Sequence, residues 1–236
     1  MSERPHDIIP EPLPPILKGI RVLALVVGLV SLAACAIGYN TDPAHFFRSW
    51  LFAYIFWVGL TLGCMTMVML THMTGGEWGI IVRRFGETAF MNMPLMLVCF
   101  LPLIAGYRYL FPWAHIETYV DNVKVYEVLQ HRAPWLNPTM FTVRNIGIMV
   151  VFSILAFTLN RGSRKMDRAP NPMLMRRLRM VCAIGIVTYF VLITSVAIDL
   201  IMSRETNWYS SILGFIVAIG QATSGMAFMV LAVSFF

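Results

Sequence analysis

The sequence predicts an all-α protein, a polytopic bundle of transmembrane helices, and three observations carry that reading. Of 236 residues, 58% are hydrophobic and only 13% charged, with a mean hydropathy of +0.71. A soluble globular domain carries about a quarter of its residues charged. The few charges are also gathered between long apolar runs instead of lying along amphipathic faces. Finally, the short alternating segments of a transmembrane β-barrel are missing, and open sheet edges cannot sit in lipid. The same composition excludes a disordered chain and a nucleic-acid-binding domain.

A hydrocarbon core of about 30 Å needs about 20 helical residues to cross it. Six runs meet that length, at approximately 18–39, 49–73, 88–107, 141–160, 179–202 and 210–235. Residues 1–17 read as a Pro-rich cytoplasmic leader, and 18–236 as the transmembrane domain. Within the first run, Leu32-Ala33-Ala34-Cys35 has the look of a bacterial lipoprotein cleavage site. The segment before it is long and proline-rich and carries Glu3, Asp7 and Glu11, unlike a short basic signal-peptide start. The helix is therefore expected to be retained, with Cys35 as a small packing residue.

The second run presents Tyr54, Thr61, Met65 and His72 at heptad-like spacing, a stripe ending in a titratable group. After it, Thr74-Gly75-Gly76-Glu77-Trp78-Gly79 reads as a helix C-cap leading into an interfacial segment, with Gly75 and Gly76 supplying the reversal and Trp78 the boundary ring. No phosphate-binding glycine spacing is present there. The third run leads into the longest connection, Tyr107–Pro138, crowded with Tyr107, Tyr109, Phe111, Trp113, Tyr119, Tyr126 and Trp135. It reads as an interfacial or docking segment.

Between the fourth and fifth runs, the basic stretch Arg161–Arg179 has the charge to bind nucleic acid or anionic lipid, but a loop on the positive side of the membrane explains it without a partner. In the fifth run Thr188, Ser195 and Asp199, at intervals of seven and four, share one helical face over about 16 Å. Asp199 is the only acidic residue between Met180 and Met202, and an acid in such a run is costly unless it has a role. It is expected in the last turn before the outer surface, where the aromatic pair Trp208 and Tyr209 follows. The sixth run adds Gln221 and Ser224 near its middle.

Lys and Arg divide twelve to six between alternate loops, which places both termini in the cytoplasm. The four cysteines stand singly in different runs, with no metal-type pair and no haem-attachment motif. Of the five histidines only His72 lies in a helical run, so a bis-histidine haem is not expected in this chain, nor is a metal site or a catalytic residue. The polar residues admit two readings. They are pieces of a proton path or a quinone contact, with His72, Gln221, Thr188, Ser195, Tyr54, Thr61 and Asp199 as candidates. Otherwise they are interhelical hydrogen bonds, worth about 0.6 kcal/mol each.

Several of these residues also carry a resemblance. Phe56-Trp57 with Gly59 and Gly63, Thr71 to Gly79 with Arg83-Arg84, Tyr109 to His115, Leu159 to Arg161, Ala197-Ile198-Asp199, Trp208-Tyr209-Ser210 and Gly220-Gln221 together make the chain similar to the ActF-like membrane subunits of bacterial alternative complex III. That group lies within the wider polysulfide-reductase-like (NrfD-like) membrane family. The match extends over nearly the whole chain apart from the leader. The resemblance implies a place in a quinol:cytochrome c oxidoreductase, or one with another periplasmic acceptor, in the bacterial cytoplasmic membrane. It implies an ActC-like membrane partner, haem c and iron–sulfur clusters on periplasmic partner subunits, a quinol contact, and no redox cofactor on this chain. Of the residues, it extends a proton-path role to His72 and Asp199. Family members have further helices after the sixth, so the resemblance implies a C-terminally truncated chain. The alternatives are a scaffold anchoring the redox subunits and, third, a transporter or channel acting alone, which would want an internal repeat.

Overall fold

The computed structural model describes residues 15–75 and 78–235, without the side chains of residues 15–18, Trp78 and Ile80. Most of the leader and Gly76 lie outside the described residues. The chain divides into two units, Met1–Phe46 and Phe47–Phe236. In the first, α1 (Pro15–Thr41) carries exposed Leu, Val and Ile on all sides, the pattern of a helix meant for lipid. Its end is followed by Asp42, whose carboxylate accepts from the His45 N–H and opens the next helix.

That helix, α2 (Pro43–Thr74), runs on into the second unit. There follow α3 (Trp78–Phe90), α4 (Met93–Ala105), the single turn α5 (Tyr107–Leu110), a 3-10 segment (Pro112–Tyr119), α6 (Val123–Arg132), α7 (Pro138–Arg168), α8 (Pro172–Leu200) and α9 (Leu213–Ser234). No strand occurs among the described residues. Six helical stretches are long and apolar enough to cross a membrane: 19–41, 43–74, 81–105, 138–168, 172–204 and 213–234. The chain is an integral membrane protein with an all-α, multi-pass architecture.

Asparagine followed by proline starts both long antiparallel helices. Asn137 accepts from Met140 N–H ahead of Pro138, and Asn171 accepts from Met173 N–H ahead of Pro172. The proline needs no backbone partner in the first turn, and the asparagine supplies one for a neighbour that does. Gly75 closes α2 with φ of +70°, a left-handed position suited to glycine, while its N–H donates to Thr71 O.

The third span departs from expectation. It starts earlier, at Ile81, and is two helices broken at Met91-Asn92, because Pro94 in the first turn of α4 cannot donate back to residue 90. Asn92 at the break is exposed.

Within the second unit α2 is the central helix: 61% of its most apolar window is buried, against 17–33% for the other spans of this unit. Its side chains reach α3 at Thr71 and Gly79, α4 through Tyr54 and Phe100, α8 through Met69 and Gly185, and α9 at Gly63. Around it α7 packs on α4 and α8, and α9 on α3 and α8. The aromatic connection Tyr107–Pro138 is not a free loop. Trp113 is buried, stacked on Phe111 at 5.3 Å and against Phe141 of α7 at 5.4 Å, so the segment lies across the helix ends.

Candidate functional site

Two polar clusters stand at opposite ends of the second unit, each built around one buried carboxylate. Asp199, in the last turn of α8, exposes 0% of its surface. Burying it alone would be prohibitive, and Arg144 from the first turns of α7 removes that cost. Its guanidinium forks onto the carboxylate, Nη2 donating to Oδ1 at 2.7 Å and Nε to Oδ2 at 2.8 Å. Asn145 Nδ2 donates to the same Oδ2 at 2.7 Å. Trp135 holds the guanidinium from the other side, with its carbonyl at 3.3 Å from Nη1 and Nη2 and its ring centroid at 4.1 Å from Cζ. Ser203 Oγ donates to Asp199 O at 2.5 Å and receives Trp113 Nε1–H at 3.3 Å.

Asp199 thus stands in the last turn of its helix, where the sequence places it, with its carboxylate sealed from solvent. The connection that carries Trp113 and Trp135, together with the turn at residues 202–204, covers the carboxylate. A cavity of about 300 Å³ is lined by Trp135 and Ser203, which touch the pair, and by His131, Arg132, Leu136, Ile198, Met202 and Tyr209.

At the other end Glu87 of α3 is 4% exposed. Its Oε2 accepts from Arg84 Nη1 at 2.7 Å, Ser163 Oγ of α7 donates to its Oε1, and Arg83 Nε makes a charge contact at 3.5 Å. The same two arginines hold Asp167 of α7, Arg83 Nη2 at 2.8 Å from Oδ1 and Arg84 Nη2 bonded to Oδ2. Two positive and two negative side chains thus tie α3 to α7. His72 lies within electrostatic reach of Arg83, Glu87 and Asp167, and its buried Nε2 has no hydrogen-bond partner among the described residues.

Between the ends, Tyr189 of α8 places its hydroxyl 2.9 Å from Gln221 Oε1 of α9, with Ala218 O at 3.3 Å. Gln221 itself lies over Gly59 of α2. Tyr54 is buried with its hydroxyl unpartnered, its ring 5.7 Å from Phe100. Asn145 Oδ1 is the matching case near Asp199, a buried acceptor with no donor.

The sequence candidates fall into four groups. Asp199, His72, Gln221 and Tyr54 are at or between the two clusters. Thr61 is buried but spends its hydroxyl on Trp57 O at 2.8 Å, an ordinary bond within its own helix. Thr188 and Ser195 are half-buried and make no side-chain hydrogen bond among the described residues, so the α8 stripe does not join into a chain. Asp199 is tied sideways to α7. Trp208 and Tyr209 are exposed beyond α8, Tyr209 by 80%. Trp78 opens α3.

Sequence reasoning missed Arg144, Asn145, Glu87, Ser163, Asp167 and Tyr189. Arg144 and Asn145 sit inside the fourth apolar run, and a cation there asks for an acid at the same depth. Among the described residues no group of three or more His, Cys, Asp or Glu side chains could hold a metal. Neither the known protein-family models nor the curated proteins contain a match to this chain.

Proposed function

We propose that the chain is a membrane subunit, without a redox cofactor of its own, of a bacterial quinol:cytochrome c or related oxidoreductase, and that its polar interior moves protons between the two ends of the bundle. The complex and its partners, an ActC-like membrane subunit with haem c and iron–sulfur subunits in the periplasm, come from the resemblance to ActF-like subunits. The proton role rests on one observation. Asn145, which touches Asp199, and Ser163, which touches Glu87, are 18 residues apart on α7. Eighteen residues are five helical turns, so both face the same way about 27 Å apart, close to the thickness of the hydrocarbon core.

Tyr54 and His72 repeat that spacing on α2. Both carry a buried polar atom without a hydrogen-bond partner among the described residues, as does Asn145. Such atoms are where bound water is held in a polar interior. Asp199 and Glu87 have their oxygens occupied by arginine, serine or asparagine donors, so they serve as fixed charges, and water held at Tyr54, His72 and Asn145 carries the proton.

Replacing Tyr54 by Phe or His72 by Gln in the intact complex tests this, because neither change removes a hydrogen bond seen in the fold. In liposomes, quinol-driven proton movement is expected to drop about a hundredfold, the low end of what a positioned proton-transfer group contributes. Electron transfer with the gradient collapsed should be unchanged. Wild-type proton movement in both variants would end the proposal.

The scaffold reading has its own support in the exposed Tyr109, Trp135, Trp208 and Tyr209, which crowd the Asp199 end as a docking surface would. It predicts that Trp208→Ala with Tyr209→Ala releases the partner subunits while Tyr54→Phe is silent.

A further inference from the structure

The α7–α8 hairpin holds a second cavity, of about 320 Å³, at the end where the two helices are joined. On α7, Thr158, Arg161, Gly162 and Lys165 follow the i, i+3, i+4, i+7 pattern of one helical face, and on α8 Leu174, Arg177, Leu178 and Val181 do the same. The two faces meet at Gly162, where an added Cβ would come within 2.8 Å of Leu178 Cδ1. That close approach forms the floor, and Arg161, Lys165 and Arg177 ring the mouth.

Among the described residues those three cations have no carboxylate within salt-bridge distance, whereas the nearby Asp167 is taken by Arg83 and Arg84. The mouth also lies by the first turns of α8, whose free N–H groups and dipole favour an anion. Beyond Thr158 the same α7 face continues with exposed Ile154 and Val151, and the adjoining flank of α8 carries exposed Ile184. The lining is thus a phosphate-sized positive mouth continued by a hydrocarbon track.

We infer that this groove is a binding site for one anionic phospholipid, its phosphate held by Arg161, Lys165 and Arg177 and an acyl chain laid along the α7–α8 seam. Basic pockets between membrane helices suit such headgroups. A solvated basic loop would explain the charges but not the apolar continuation beneath them. A free phosphate would use the mouth and leave the seam empty. The inference does not depend on the proposed proton role.

The test is titration of the delipidated full chain in detergent with phosphatidylglycerol or phosphatidylcholine, counting bound lipid by native mass spectrometry. The wild type should bind one phosphatidylglycerol ahead of phosphatidylcholine. Arg161→Gln with Arg177→Gln should weaken that binding about 30-fold, while the charge-matched Arg168→Gln with Arg176→Gln outside the groove should change it less than about threefold. Val181→Trp, which leaves the charge alone and fills the seam, should also lose the lipid. Equal binding of the two lipids, equal loss in the two charge pairs, or wild-type binding by Val181→Trp would overturn the inference. So would displacement of the lipid by inorganic phosphate, which would make the ligand a free anion.

Discussion

Asp199→Ala is expected to destabilise the folded protein by about 3–5 kcal/mol, because it leaves the Arg144 guanidinium buried without its counter-charge. Arg144 is only 16% exposed at the side chain, and its other contacts are a backbone carbonyl and the face of Trp135, neither of which neutralises it. Arg144→Ala should cost a similar amount by stranding Asp199. Replacing both at once, Asp199→Leu with Arg144→Met, should recover most of the loss, since a buried pair often does no better than apolar residues of similar volume. Thermal unfolding in detergent, followed by tryptophan fluorescence, reads all three. Single variants as stable as wild type would mean the pair is solvated and contributes little. If the double variant folds and still supports normal proton movement in the complex, Asp199 is a clamp between α7 and α8 with no further role.

Gly63→Ala is expected to be still more damaging. A Cβ there would run into the carbonyl of Gln221, whose carbon would lie at 2.6 Å, and a Cβ on Gly225 would press on the backbone of Gly63 and Cys64. These are main-chain atoms of two packed helices, so neither can swing aside, and separating the helices forfeits their contact along the seam. Either substitution should exceed the roughly 1–3 kcal/mol of ordinary overpacking, with little folded protein recovered. Gly220→Ala, on the same helix with open space around its Cβ position, is the control. It should be neutral or stabilising by up to about 1 kcal/mol, from the better helix propensity of alanine. Equal recovery of Gly63→Ala and Gly220→Ala would show that α2 and α9 do not meet as closely as described.

The spans were legible in the sequence to within several residues, except where Pro94 broke the third one into α3 and α4. A run of apolar residues is sufficient for that, because a membrane helix satisfies its own backbone hydrogen bonds. The candidate site was legible only in part. Asp199, His72, Tyr54 and Gln221 stood out as polar groups in apolar runs, but their partners did not. Arg144 enters only the charge count between loops, and nothing in the sequence singles out Glu87 or Asp167. Even so, a signal was present: counting outward from Pro170, Gly162 and Leu178 are equally far from the turn, and Arg144 and Asp199 are nearly so. The hairpin brings each of these pairs to one depth. Likewise Gly59-x-x-x-Gly63 is the small-residue spacing that lets membrane helices approach closely.

By itself, then, the sequence determined the class, the number of spans and which residues are too polar to be indifferent to their surroundings. Hydropathy and spacing measure the cost of putting a residue in lipid, and those conclusions follow from cost alone. The tertiary structure decided that α2 is central, that Asp199 is sealed against Arg144 and Asn145 instead of facing water, and that Glu87 shares two arginines with Asp167. It also decided which buried polar atoms, those on Tyr54, His72 and Asn145 among them, have no hydrogen-bond partner among the described residues. These depend on which helix faces meet, and pairing energies between side chains distant in sequence leave no trace in the hydropathy of either one.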